Sequence, residues 1–84
     1  MKYLCKGQES IEDINLLLQL SSTQEDTQTG IIDHYVKNFS IASAASINGL
    51  NRGNLSVAIT DLNRIAWIVE QINERKVYGK GRTN

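Results

Sequence analysis

"INGLNRGNLSVAITDLNRI", residues 47–65, decides the fold. Its first half crowds Gly49, Asn51, Arg52, Gly53 and Asn54 into six positions. That composition suits a turn and a helix start, because glycine frees the backbone and short amides bond neighbouring backbone groups. Its second half opens a helical apolar stripe. At about 100° per residue, Leu55, Ala58, Ile59, Leu62, Ile65, Ala66, Val69 and Ile72 share one face. The stretch predicts a short helix, a glycine turn and a long helix. Asn51 can cap that long helix, which the pattern extends to about Val77; Gly79 and Gly81 then open a flexible basic tail at about 78–84.

Upstream, "SIASAASIN" (40–48) reads as a short third helix. Its small residues Ala42, Ala44 and Ala45 let another helix approach, and Gly49 ends it in the left-handed region. A first helix is expected from about Ser10 to Leu20. Ser10 caps it, Asp13 follows three residues on, and Ile11, Ile14, Leu17 and Leu18 line one face. A second helix is expected from near Ser22, with Glu25 again three positions later. Its apolar residues come late, as Ile31, Ile32, Tyr35, Val36 and Phe39. Gly30 weakens it by about 1 kcal/mol relative to alanine, so a break there is open. Tyr35 and Phe39, at helical spacing, read as core. His34 reads as surface or as supporting a neighbour.

The sum is an all-α fold: one small helical domain across residues 1–84, of about four helices, with a helix-turn-helix and a long C-terminal helix. Proline is absent, which favours uninterrupted helices. A domain this small gains stability from self-association. Trp67 and Ile68 fall outside the apolar stripe, and they read as an oligomer interface.

Several function classes are excluded. Cys5 is the one cysteine, so neither an intrachain disulfide nor a cysteine metal cluster is expected, and a cytoplasmic setting is the simplest reading. With His34 the sole histidine, no metal set, phosphate loop or catalytic triad emerges. No enzyme activity, cofactor or metal is expected. Glu12–Asp13 and Glu25–Asp26 read as charge offsetting helix dipoles. No apolar run approaches the ~20 residues of a membrane span, and the first ten residues show no h-region long enough for a secretory signal, so no membrane partner is expected. Net charge is zero but divided. Residues 1–38 carry three lysines against six carboxylates, and residues 39–84 carry six Lys and Arg against three carboxylates. The C-terminal half can therefore face nucleic acid.

A DNA-reading helix-turn-helix needs a small residue where two helices cross, a glycine turn, and polar side chains outward on the second helix. Taking the unit as about residues 41–60, Ala45 is the crossing residue and Gly49 the turn. Leu50, Leu55 and Ala58 point inward. Asn51, Arg52, Gly53, Ser56, Val57 and Thr60 are left facing out. Arg52 can contact guanine, phosphate or a minor groove. Asn51 can pair with adenine or cap the helix. Ser56, Thr60 and Arg64 suit phosphates, and Gly53 lets the helix end approach the sugar-phosphate backbone. Asn48 sits where an apolar residue is often found.

On these residues the chain resembles the PapB-type regulators of bacterial fimbrial (adhesin biosynthesis) operons. The likeness covers about residues 10–75, through "IEDINLLLQLSS", "IIDHYVKNFSIASAASINGLNRGNLSVAITDLNRI" and "AWIVEQINE". The segment "GLNRGNLSVAITDLNRI" also resembles the DNA-binding segment of TrfB-type plasmid repressors. Both families are helix-turn-helix transcription regulators. The fimbrial resemblance implies an all-helical dimer that assembles along AT-rich repeats, is associated with minor-groove contacts, and uses Arg52 as the principal DNA contact with Ser56 and Thr60 near it.

The expected function is a cytoplasmic, nucleoid-associated transcription regulator. Its expected partners are double-stranded, AT-rich DNA and further copies of itself, as a homodimer or higher oligomer. Cooperative assembly would offset the low affinity of a subunit that neutralises few phosphates. The alternatives are a plasmid-control repressor reading a palindromic operator, and a helical protein-interaction module that binds no DNA.

Overall fold

Side-chain caps start three of the four helices. A computed structural model describes residues 4–83, with side chains from 4 to 75. It contains α1 (Ile11–Leu18), α2 (Glu25–Tyr35), α3 (Ile41–Ile47) and α4 (Arg52–Thr83), and no strand among the described residues. Ser10 Oγ accepts from the Asp13 amide at 3.2 Å, Ser40 Oγ from Ser43 at 3.1 Å, and Asn51 Oδ1 from Asn54 at 3.1 Å. Each bond satisfies an amide that the first helical turn leaves without a backbone acceptor.

The second helix starts differently from the expectation. It begins at Glu25, and Gln24 at its cap makes no side-chain bond. The box expected at Ser22 does not form. Instead Ser21 Oγ donates to Thr23 Oγ1 at 2.9 Å, and Gln28 Nε2 reaches back to the Thr23 carbonyl at 2.9 Å.

The layers follow from which helices touch. α2 and α4 contact each other, and both contact α1 and α3, while α1 and α3 do not meet. Ile14, Leu18, Ile31, Tyr35, Ala44, Ala45, Leu55, Ile59 and Leu62 form the buried core. The α2 helix runs unbroken through Gly30. A Cβ there would sit 2.8 Å from Leu50 Cδ1 and 3.1 Å from Leu55 Cδ1. Gly30 is thus a point of close approach, and the packing it permits outweighs its poor helix propensity.

The segment before α1 closes the C-terminal end of α2. The Gly7 and Glu9 amides donate to the carbonyls of His34 and Tyr35 at 3.2 and 3.1 Å. Glu9 Oε2 accepts the Cys5 amide at 2.8 Å, and the Leu4 amide donates to Asn63 Oδ1 on α4 at 2.9 Å. His34 is buried, contrary to its surface reading. Its Nδ1 lies 2.9 Å from the Phe39 carbonyl, which can only accept, so Nδ1 carries the hydrogen. Phe39, expected in the core, is exposed, because α2 stops at Tyr35 and Asn38 turns the chain through φ 67°. Tyr35 keeps its expected core place. Its hydroxyl reaches the Ile59 carbonyl at 3.5 Å, and its ring meets His34 edge-on at 4.9 Å.

Helix α4 outruns what covers it. Leu55, Ile59 and Leu62 are buried, Ile65, Ala66 and Val69 half-buried, and Ile72 is 49% exposed. The physical reason is length: at 1.5 Å per residue its 32 residues span about 48 Å, while α2, with 11, spans about 16 Å. The molecule accordingly measures 52 × 23 × 18 Å. The bounds of α4 pass the expected end at Val77, and the basic side chains of the tail expected over 78–84 lie outside the described residues.

Two outcomes are expected. In Gly30→Ala the propensity gain of about 1 kcal/mol is outweighed by overpacking of about 1–3 kcal/mol against Leu50 and Leu55. The domain should lose about 1 kcal/mol by urea denaturation, and Gly30→Val clearly more. Burial, with the negative charge of Glu9 and Cys5 behind it, pushes the Tyr35 hydroxyl up to about 12. The folded state then holds a proton that the unfolded chain releases near its ordinary pKa of ~10. Stability should be level below pH ~10 and fall between about 10 and 12, a decline that Tyr35→Phe should flatten in thermal melts taken across that range.

Candidate nucleic-acid interface

Two hydrogen bonds define the turn between α3 and α4. The Leu50 amide donates to the Ala45 carbonyl at 2.8 Å, and the Gly49 amide to Ser46 at 3.3 Å. With Gly49 at φ 65°, this is the Schellman arrangement, which satisfies the last carbonyls of α3 and reverses the chain. Ala44 and Ala45 are buried where α3 meets α2 and α4, as a close crossing requires. Leu50 and Ala58 are partly buried against the core and Leu55 is fully buried, so all three inward positions lie where the spacing put them.

Asn48 has a part that its sequence position concealed. Its Nδ2 donates to Asp33 Oδ2 on α2 at 2.8 Å and to the Ala44 carbonyl at 2.8 Å. Asp33 is buried, and Lys37 Nζ stands 3.4 Å from its other oxygen. A polar tie therefore locks the end of α3 to α2 at the point where an apolar residue was expected. The carboxylate is satisfied by an amide and a cation, as a buried charge must be.

The outward face of α4 can now be placed. Asn51, Arg52, Gly53, Val57, Thr60 and Arg64 are exposed, and Ser56 is half-buried. Ser56, Val57, Thr60, Asp61 and Arg64 line one shallow concavity, while Asn51, Arg52 and Gly53 stand at the helix start. Asn51 uses Oδ1 as the cap, which leaves its Nδ2 as the group able to donate outward. A Cβ on Gly53 would meet only Asn51 Oδ1, at 3.1 Å, so glycine there also accommodates the cap.

Charge on this face is sparse. Among the described residues Arg52 has no ion-pair partner, whereas Arg64 Nη2 is held by Asp61 Oδ1 at 2.8 Å. Both members of that pair are largely exposed, so it is weak and can open to a phosphate. The first turns of α1 and α2 carry carboxylates, and that of α4 carries none. Its positive helix end is therefore uncompensated beside Arg52. Asp61 was missed as a member of this face, though its spacing of three from Arg64 was a usable signal. Trp67 and Ile68 lie farther along α4, 37% and 38% exposed. Among the described residues no cluster of His, Cys, Asp and Glu could hold a metal, and no helix is long and apolar enough to cross a membrane.

The fold is that of a small all-α domain whose helix-turn-helix leads into a long terminal helix. Among solved structures it is similar to the crystal structure of E. coli FocB, with a TM-score of 0.78 and 23% sequence identity over 87% of this chain and 84% of that one. No family model and no curated protein sequence matches the chain.

A substitution tests the turn. A Cβ on Gly49 would meet nothing within 4 Å, so Gly49→Ala is opposed only by the left-handed backbone. It should cost about 1 kcal/mol, read as a fall of about 4–8 °C in Tm. Gly49→Asn should cost less, since asparagine tolerates that region.

Proposed function

We propose that this chain is a DNA-binding transcription regulator of a bacterial fimbrial or adhesin operon, acting in the cytoplasm and binding AT-rich repeats cooperatively as an oligomer. The observation that carries the reading is the outward face of α4. Arg52 stands without an ion-pair partner among the described residues, beside an uncompensated helix end, and Ser56, Thr60 and Arg64 continue along the same side. That set matches what a second helix needs to sit on a duplex, with Arg52 as the principal contact and the hydroxyls and Arg64 on phosphates. Support for the family comes from the PapB-type residue pattern together with the fold shared with FocB.

Sparse charge sets the mechanism. A subunit that neutralises a few phosphates binds weakly and with strong salt dependence. Subunits joined through the exposed apolar side chains of Trp67 and Ile68, midway along α4, gain avidity without new kinds of contact. The competing reading is a helical interaction module in which Arg52 is merely solvated. The zero net charge and the Asp61 carboxylate on the same face favour it.

Fluorescence-anisotropy titrations onto AT-rich and GC-rich duplexes at low and moderate salt separate the two. The expected result is sigmoidal, salt-sensitive binding that prefers AT. Arg52→Ala should weaken it about tenfold on every sequence tested, and Trp67→Ala should reduce it to a weak one-site isotherm. Absence of binding at low salt, where attraction is strongest, would sink the regulator reading and leave the interaction module.

A further inference from the structure

Between Arg52 and Val69, Asp61 is the one carboxylate of α4. Its Oδ1 accepts from Arg64 Nη2 at 2.8 Å, and both side chains line the shallow concavity with Ser56, Val57 and Thr60. At about 100° per residue, Gly53, Thr60 and Arg64 fall within about 40° of one another, on the side of α4 turned away from Leu55, Ile59 and Leu62. Asp61 sits about 60° to the side of Arg64, near enough to hold it and off the line itself. The other side chains of the concavity are uncharged, so its charge cancels to zero. Arg52, nine positions from Asp61 and about 14 Å away along the axis, lies beyond the ~8 Å screening length of physiological salt and keeps its charge.

Resting on the DNA-binding reading, we propose that Asp61 is an intramolecular competitor for Arg64. Its carboxylate takes the place that a DNA phosphate would take at the guanidinium, and so caps what one subunit gains from the duplex. A guanidinium binds carboxylate and phosphate alike through its planar fork of N–H donors, so the two anions contend for one group. The pair is weak, because the Arg64 side chain is 63% and that of Asp61 47% exposed. It is a restraint that phosphate can displace, not a block. Displacement returns less than an unpaired arginine would, and it leaves a bare carboxylate among phosphates. A pair at this spacing also supports a helix, but α4 is already held on its other side by Leu55, Ile59 and Leu62. Phosphates border both grooves, so the competition is the same whichever one Arg52 enters. Weak single subunits leave isolated sites empty, and the avidity of joined subunits then decides occupancy.

The experiment is a set of anisotropy titrations of the full chain onto one AT-rich duplex across a salt series. The proteins compared are the unaltered chain, Asp61→Asn, Arg64→Ala and the double variant, with Asp61→Glu as the conservative control. Melting midpoints within about 3 °C of the unaltered chain check that each variant folds. Asp61→Asn should bind about threefold tighter at moderate salt. The logarithm of its affinity should also fall more steeply with the logarithm of salt, by about one unit of slope. Arg64→Ala should lose more affinity on the Asp61→Asn background than on the unaltered chain, because there the arginine is free for phosphate. Asp61→Glu, which keeps a carboxylate within reach, should bind like the unaltered chain. A gain from Asp61→Asn that persists undiminished beside Arg64→Ala would come from the carboxylate's field alone and overturns the competition. Unchanged or weaker binding by Asp61→Asn overturns it too, and both results leave DNA binding standing. Absence of binding by every protein at low salt overturns the DNA-binding reading along with it.

Discussion

The approach of Leu50 and Leu55 to the bare backbone of Gly30 is the contact on which the remaining architecture depends. Leu50 is the residue that follows the left-handed glycine, and Leu55 is the first fully buried residue of α4. With both against α2, the direction in which α4 leaves the turn is fixed from two sides. Once that direction is set, Ile59 and Leu62 fall into the core and the opposite side of α4 is left to solvent. A larger side chain at position 30 would lift the start of α4, and the outward face would tilt with it.

A second layer of constraint is polar. Asn48, Asp33 and Lys37 bind the end of α3 to α2, and the amides of Gly7 and Glu9 close the end of α2. The core is small, so these bonds specify geometry more than they add to stability, since each exchanges a bond to water for a bond within the chain. They hold the end of α3, and the segment before α1, in register with α2. The apolar contacts alone would leave the α3–α4 unit freer to rock on α2.

Much of this was legible in the sequence, for reasons that are local. Ser10 and Asn51 cap helices because their oxygens reach the amide three residues on, a relation that depends on nothing distant. Gly49 and the spacing of Ala45, Leu50, Leu55 and Ala58 were readable in the same way, and so were the exposed positions Arg52, Val57 and Thr60. What escaped was set by partners remote along the chain. Gly30 reads as a weak point until Leu50 and Leu55 are seen against it, and Asn48 reads as a misplaced amide until Asp33 appears beside it. His34 is buried because the chain folds back to place the Phe39 carbonyl over it, and Phe39 is exposed for the same reason. The start of α2 was misplaced because a serine with an acidic residue three positions on is a necessary sign of a capping box and not a sufficient one.

The unbroken course of α4 has a geometric corollary. Val57 and Trp67 belong to one continuous helix, ten positions and about 15 Å apart along its axis. The helix repeat sets their angular offset, and no joint lies between them to adjust it. One residue inserted between Leu62 and Trp67 would swing everything beyond it by about 100° and advance it by about 1.5 Å. Over evolutionary time, therefore, the two faces are free to change in chemistry but not independently in azimuth. Point substitutions can retune either one, whereas changes of length would have to come in sets of three or four to keep them in phase.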